Sequence, residues 1–197
     1  MTASTASTTT LRRAVFPRVS VLTDAVLVLG GALFVALFAQ ISIPLPFTPV
    51  PITGQTFAVL LVGGALGSLC GVASMSLYML MGIVGLPVYA NQAHGFEIIK
   101  GATGGYIVGF LVAGLLVGYL ADRGWDQKFS TSGTMMLTGN VIIFLVGLIW
   151  LQQVLHTSLA DTLKFGLYPF VPGEIVKLYL AAALLPGAWA LVRRIRS

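Results

Sequence analysis

Two charges interrupt an apolar segment near the end of this 197-residue chain: Glu174 and Lys177, in FVPGEIVKLYL. A carboxylate and an ammonium three residues apart share one face of a helix and partly neutralise each other. Within an apolar span such charges are costly, and they mark a binding or transport pathway before they mark anything else. The plain alternative is a stabilising ion pair, but in lipid an apolar pair of similar volume would cost less. Pro169, Pro172 and Gly173 stand just before the pair. They disturb a regular helix at a depth where free backbone is tolerated only if it is buried in protein or lines a cavity. A pocket at this end would have Tyr168 and Phe170 as candidate walls. A helix that simply begins with proline in its first turn is the equally open alternative.

A second polar cluster lies in YANQAHGFEIIKGATGGY, from Tyr89 to Tyr106. Asn91 and Gln92 are suited to hydrogen bonding a neutral polar ligand. His94 reads as a solvated loop residue, and with only two histidines in the chain neither a zinc nor a haem site is expected. GATGGY lacks the Lys-Ser/Thr ending of a phosphate-binding loop and the strand that would precede a dinucleotide site. Its glycines are expected to allow close helix packing. No cofactor and no catalytic constellation is expected, so the chain does not read as an enzyme.

The elements that must hold these groups are membrane helices. The sequence is 57% hydrophobic and only 9% charged, outside the range of soluble domains. Six apolar runs of roughly 15–22 residues fit bilayer spans: Val21 to Gln40, Gln55 to about Gly71, Val72 to Leu86, Thr103 to Ala121, Thr134 to Leu155 and Pro172 to Val192. Lys and Arg gather at the chain ends and in alternate loops, which predicts both termini on the cytoplasmic side and argues against nucleic-acid binding. The proline-rich segment from Pro44, the 87–101 loop PVYANQAHGFEIIKG and HTSLADTLKFG then lie outside. Residues 1–20, rich in Ser and Thr with Arg12, Arg13 and Arg18, read as a disordered cytoplasmic tail, although their lack of acids also resembles a transit peptide. Residues 21–197 form the membrane domain. Cys70 is the sole cysteine, which excludes an internal disulfide. Ala32 and Ala36, four apart, form a small-residue stripe whose expected role on spacing alone is internal helix packing.

VPITGQT, GLPVYA, GATGGYIVGF and FVPGEIVK occur in this order and at matching spacing between about Ala32 and Lys177. Together they resemble the BioY family, the biotin-binding S components of energy-coupling factor (ECF) vitamin transporters. The resemblance implies an all-α, six-helix bundle in the plasma membrane that binds biotin from the outer side and passes it inward. It implies that Glu174 and Lys177 contact the ligand, with Asn91, Gln92, Gln55 and Tyr168 as further candidates. Pro49, Val50, Pro51, Ile52, Thr53 and Gly54 would form a lid over the pocket. It also assigns Ala32 and Ala36 to docking a transmembrane coupling protein, against the packing role that spacing suggests. The family usually carries Asp where Glu174 stands here.

The chain has no nucleotide-binding motif, so ATP coupling would come from the coupling protein and cytoplasmic ATPases. A solitary transporter, possible as a homo-oligomer, and an S component for another vitamin are the alternatives. A small intramembrane enzyme would need a catalytic set that the Glu-Lys pair does not supply.

Overall fold

The fold is described from a computed structural model, over residues 10–16 and 20–196. Most of the expected tail, residues 1–9 and 17–19, lies outside the described residues. Of the remainder, Leu11–Val15 form a one-turn helix, α1. Its Arg12 pairs with Asp24 in the first turn of α2, Val21–Ala39. The Ser20 hydroxyl caps α2 by accepting from Thr23 N at 3.1 Å, satisfying one of the free N–H groups of a helix start.

Among the described residues, four helices are long and apolar enough to cross a membrane: α2, α6 (Gly104–Ala121), α7 (Phe129–Leu155) and α9 (Val171–Arg196). Two shorter apolar helices, α3 (Gln55–Leu66) and α4 (Ser68–Ile83), fill the places of the second and third expected runs, and a short helix α5 (Phe96–Lys100) precedes α6. The break between them falls at Gly67 instead of Gly71. Gly67 has φ +81°, a left-handed conformation that costs a residue with a Cβ. Asp122 fastens the break by accepting from Ser68 N at 3.2 Å and Ser68 Oγ at 2.5 Å.

The long helix α6 is the central element, packed against α3, α4 and α7, while α9 packs on α7 and α3. A Cβ on Gly118 would lie 2.5 Å from the backbone of Gly67 and Ser68. The α6 backbone is thus seated directly on the α3–α4 turn, as small residues permit between membrane helices. The faces left open are apolar, with Leu22, Val26, Leu29, Leu33 and Leu37 along α2 and Ile175, Val176, Tyr179 and Leu180 along α9.

Other boundaries moved for local reasons. α7 begins at Phe129, five residues before the apolar run, because a helix continues through the polar STSG once started. HTSLADTLKFG is not a plain loop: it contains α8, Leu159–Gly166, capped by the Ser158 hydroxyl accepting from Asp161 N at 3.2 Å. Pro172 is the second residue of α9, so the first-turn reading of that proline holds. The proline-rich segment is a hairpin, in which β1 (Ser42–Ile43) pairs antiparallel with β2 (Ile52–Thr53).

Asp126, in the turn between α6 and α7, is fully buried and accepts from the Trp189 indole N–H of α9. Burial raises its pKa from the ordinary 3.8 to about 6, with the Trp189 bond opposing that rise. The folded state therefore favours the protonated acid. Its contribution to stability is complete below pH 3.8 and is lost as pH rises through about 6. Thermal unfolding of the purified protein should show a midpoint that falls across that window, with a flatter profile in Asp126→Asn; equal slopes in both proteins would refute this.

Candidate functional site

At the bundle end opposite the termini, the hairpin, the 88–93 loop and the upper turns of α3, α6, α7 and α9 enclose a cavity of about 210 Å³. Its charged group is Glu174, 5% exposed, in the first turn of α9. Glu174 Oε1 accepts from Thr56 Oγ1 at 2.9 Å and from Lys177 Nζ at 2.6 Å. Oε2 accepts from Asn140 Nδ2 at 2.6 Å. A carboxylate has about four lone-pair positions, and these three bonds leave one, on Oε2, open.

Lys177 stands between the carboxylate and the hairpin. It is not among the residues walling the cavity. Its three protons go to Glu174, to the Thr53 carbonyl at 2.5 Å and to Thr56 Oγ1 at 3.3 Å. The ammonium thereby ties the hairpin to the carboxylate. A second tie at the hairpin is Thr48, whose hydroxyl donates to the Phe165 carbonyl at 2.8 Å.

The apolar walls come from α6 (Tyr106, Ile107, Phe110), from Phe144 of α7 and from Phe170. Tyr106 and Phe144 meet edge to face at 5.9 Å, and Phe144 and Phe170 at 6.0 Å, the geometry that aromatic quadrupoles prefer. The Tyr106 hydroxyl donates to the Gly166 carbonyl at 2.8 Å, which locks the ring's orientation. On the opposite side Gln55 donates to the Tyr78 hydroxyl at 2.6 Å, and Tyr78 stacks edge-on against Tyr89 at 5.6 Å. Burial pushes the Tyr89 phenol up to about 12, so it remains a neutral donor to the Met79 carbonyl at 2.6 Å.

Of the residues singled out from sequence, Glu174, Gln55 and Asn91 line the cavity, as do Pro49, Val50, Pro51 and Thr53 of the expected lid. Ile52 and Gly54 do not: Ile52 is held in the strand pair, and Gly54 is pressed against Phe38. Gln92 points its backbone N–H at Gln40 and is not a lining residue. Tyr168 is 57% exposed, and Phe170, two residues on and 5% exposed, takes the inward position instead.

Ala32 and Ala36, the stripe expected to dock a coupling protein, lie on the inward side of α2. They are 0% and 9% exposed within this chain, on the α2 face packed against α4 and α3.

Sequence reasoning missed Thr56 and Asn140, which complete the carboxylate's hydrogen bonding, and Tyr106, Phe110 and Phe144, which form the walls. Asn140 left a signal: an amide in the middle of the apolar run TGNVIIFL needs a partner as surely as a charge does. The aromatic residues left none, since nothing in their spacing separates a wall from ordinary core.

The family model described as the BioY family matches residues 6–194. A protein of Thermotoga maritima named biotin transporter BioY is 36% identical over 146 residues, covering 74% of this chain and 83% of its own. A Pyrococcus horikoshii protein named probable biotin transporter BioY is 38% identical over 156 residues, covering 78% and 90%. Among solved structures, the S-component for biotin from an ECF-type ABC transporter superposes with a TM-score of 0.72 at 26% identity, covering 89% of this chain and 91% of that one.

Proposed function

The chain belongs to the BioY family, and from that premise we propose that it is the biotin-binding subunit of a vitamin uptake transporter. The chain takes biotin from the outer side into the cavity beneath the hairpin and delivers it inward. The observation that carries this reading is the Glu174 carboxylate, buried in an otherwise largely apolar and aromatic cavity with one lone-pair position open. Biotin presents a ureido ring with two N–H donors and one carbonyl on an apolar bicycle, so a carboxylate acceptor beside aromatic walls complements it. Glu174 accepts a ureido N–H. The Lys177 proton now directed over 3.3 Å to Thr56 is the one most easily turned to the ureido carbonyl. Asn91 and Gln55 offer amides at the cavity wall.

In this reading the six apolar helices all lie in the plasma membrane, with both termini cytoplasmic and the membrane unit starting near Val21. α3 and α4, at about 18 and 24 Å by helical rise, span the bilayer less fully than the rest. An energising ECF module, with a membrane coupling protein and cytoplasmic ATPases, supplies the work of release.

The purified protein titrated with biotin beside dethiobiotin, thiamine and riboflavin should bind biotin tightly and the other two vitamins weakly or not at all. Absence of tight biotin binding would sink the proposal.

A further inference from the structure

Gln40 lies at the end of α2, on the surface and outside the cavity wall, yet its amide is used at both ends. Nε2 donates to the carbonyls of Ala36 at 3.1 Å, Tyr89 at 3.1 Å and, more weakly, Val88 at 3.4 Å. Oε1 accepts from the backbone N–H of Gln92 at 3.2 Å. One side chain therefore brackets the 88–92 backbone on both sides of Asn91.

That stretch holds two of the three non-glycine residues with positive φ among the described residues. Asn91 and Gln92 are consecutive residues with φ +57° and +61°, and neither is glycine. Left-handed backbone is disfavoured for residues with a Cβ and persists only where the surroundings impose it. The loop's own bonds, Tyr89 N to the Ala93 carbonyl at 3.1 Å and Ala93 N to the Ala90 carbonyl at 3.2 Å, close a ring around the pair without holding the Gln92 N–H. Gln40 holds it from outside. Tyr89, Ala90, Asn91 and Ala93 all face the cavity, so the loop's conformation decides how that wall is presented.

We propose that Gln40 is a positioning residue that holds the 88–92 loop, and with it Asn91, in the ligand-ready conformation. This rests on the reading of the cavity as the biotin site. Without the clamp the left-handed pair relaxes and only a fraction of molecules presents the competent wall; apparent affinity falls by that fraction. Gln40→Ala should weaken biotin binding by roughly 3- to 10-fold through this population effect. Gln92→Gly, at a position that does not line the cavity, removes the strain because glycine takes positive φ freely. Added to Gln40→Ala, it should return affinity to within about 2-fold of the parent protein.

The test is a biotin titration of the full chain and the three variants, with amide hydrogen exchange at residues 88–93 measured without ligand. Weaker binding in Gln40→Ala, recovery in the double variant and faster loop exchange in Gln40→Ala alone support the proposal. Unchanged affinity, or a loss that Gln92→Gly does not recover, overturns it. If the parent protein itself does not bind biotin, the functional reading fails. The exchange rates then decide the clamp alone: equal rates in parent and Gln40→Ala overturn it.

Discussion

Glu174→Ala is expected to weaken biotin binding by roughly 10- to 150-fold, the worth of one charge-assisted hydrogen bond of about 1.5–3 kcal/mol. The substitution removes the acceptor with an open lone-pair position and strips Lys177 of its counter-ion at 2.6 Å. The ammonium, with its side chain 18% exposed, is then left against the Thr53 carbonyl and the Thr56 hydroxyl, and a buried charge that loses its partner costs about 3–5 kcal/mol of stability. Affinity and thermal midpoint should therefore fall together in Glu174→Ala. Lys177→Ala should also weaken binding by roughly 10- to 150-fold. Its stability loss has a second source, because the hairpin's Thr53 tie disappears with the ammonium. Glu174→Gln combined with Lys177→Met removes both charges at similar volume; it should recover most of the lost stability and none of the affinity. Asn140→Leu leaves Glu174 Oε2 without its amide partner and should lower affinity in the same direction. Biotin titration and thermal unfolding on the same preparations separate the two effects. Unchanged affinity in both single variants would refute the site while leaving the family assignment intact.

The second large effect is expected at Gly82, far in sequence from the charged pair. A Cβ placed there would lie 2.0 Å from Tyr89 Cζ and 2.4–2.5 Å from the two Cε atoms, against the hydroxyl-bearing end of the ring. Tyr89 is 2% exposed, its hydroxyl holds the Met79 carbonyl, and its ring abuts Tyr78. The ring cannot yield without losing these contacts, and overpacking of this kind costs about 1–3 kcal/mol, sometimes more. The displaced tyrosine also carries the start of the cavity loop with it. Gly82→Ala should lower the thermal midpoint by several degrees and biotin affinity by at least about tenfold, as a shift of the binding-competent population. Gly82→Ala with Tyr89→Leu makes room for the methyl group and should recover part of the lost stability, less the Met79 hydrogen bond and the Tyr78 ring contact, while binding stays weak because the tyrosine wall is gone. A single variant with parental midpoint and affinity would contradict the packing described here.

Both predictions concern contacts with different histories in the sequence. The Glu174–Lys177 pair was legible from spacing, because a three-residue step puts two side chains on one helix face whatever the rest of the chain does. The succession of apolar runs was legible for a similarly local reason, whereas the first-turn place of Pro172 was one of two open readings until the structure set it in α9. The α3–α4 break was misplaced by four residues, since several glycines in GGALGSLCG could have served. Gly67 was selected by what meets it: the α6 backbone and the Asp122 carboxylate.

By itself the sequence determined a helical membrane chain, a buried acid–base pair three residues apart, and a family whose motifs run through most of its length. Only the tertiary structure decided that Thr56, 118 residues away, and Asn140, 34 residues away, complete the shell of Glu174. It alone turned Lys177 toward the hairpin, chose Phe170 over Tyr168 for the wall, and buried Ala32 and Ala36. The reason is rotational. Helical period fixes which residues of one helix share a face. Which face meets which neighbour depends on how all the helices settle against one another, and no single stretch of sequence contains that sum.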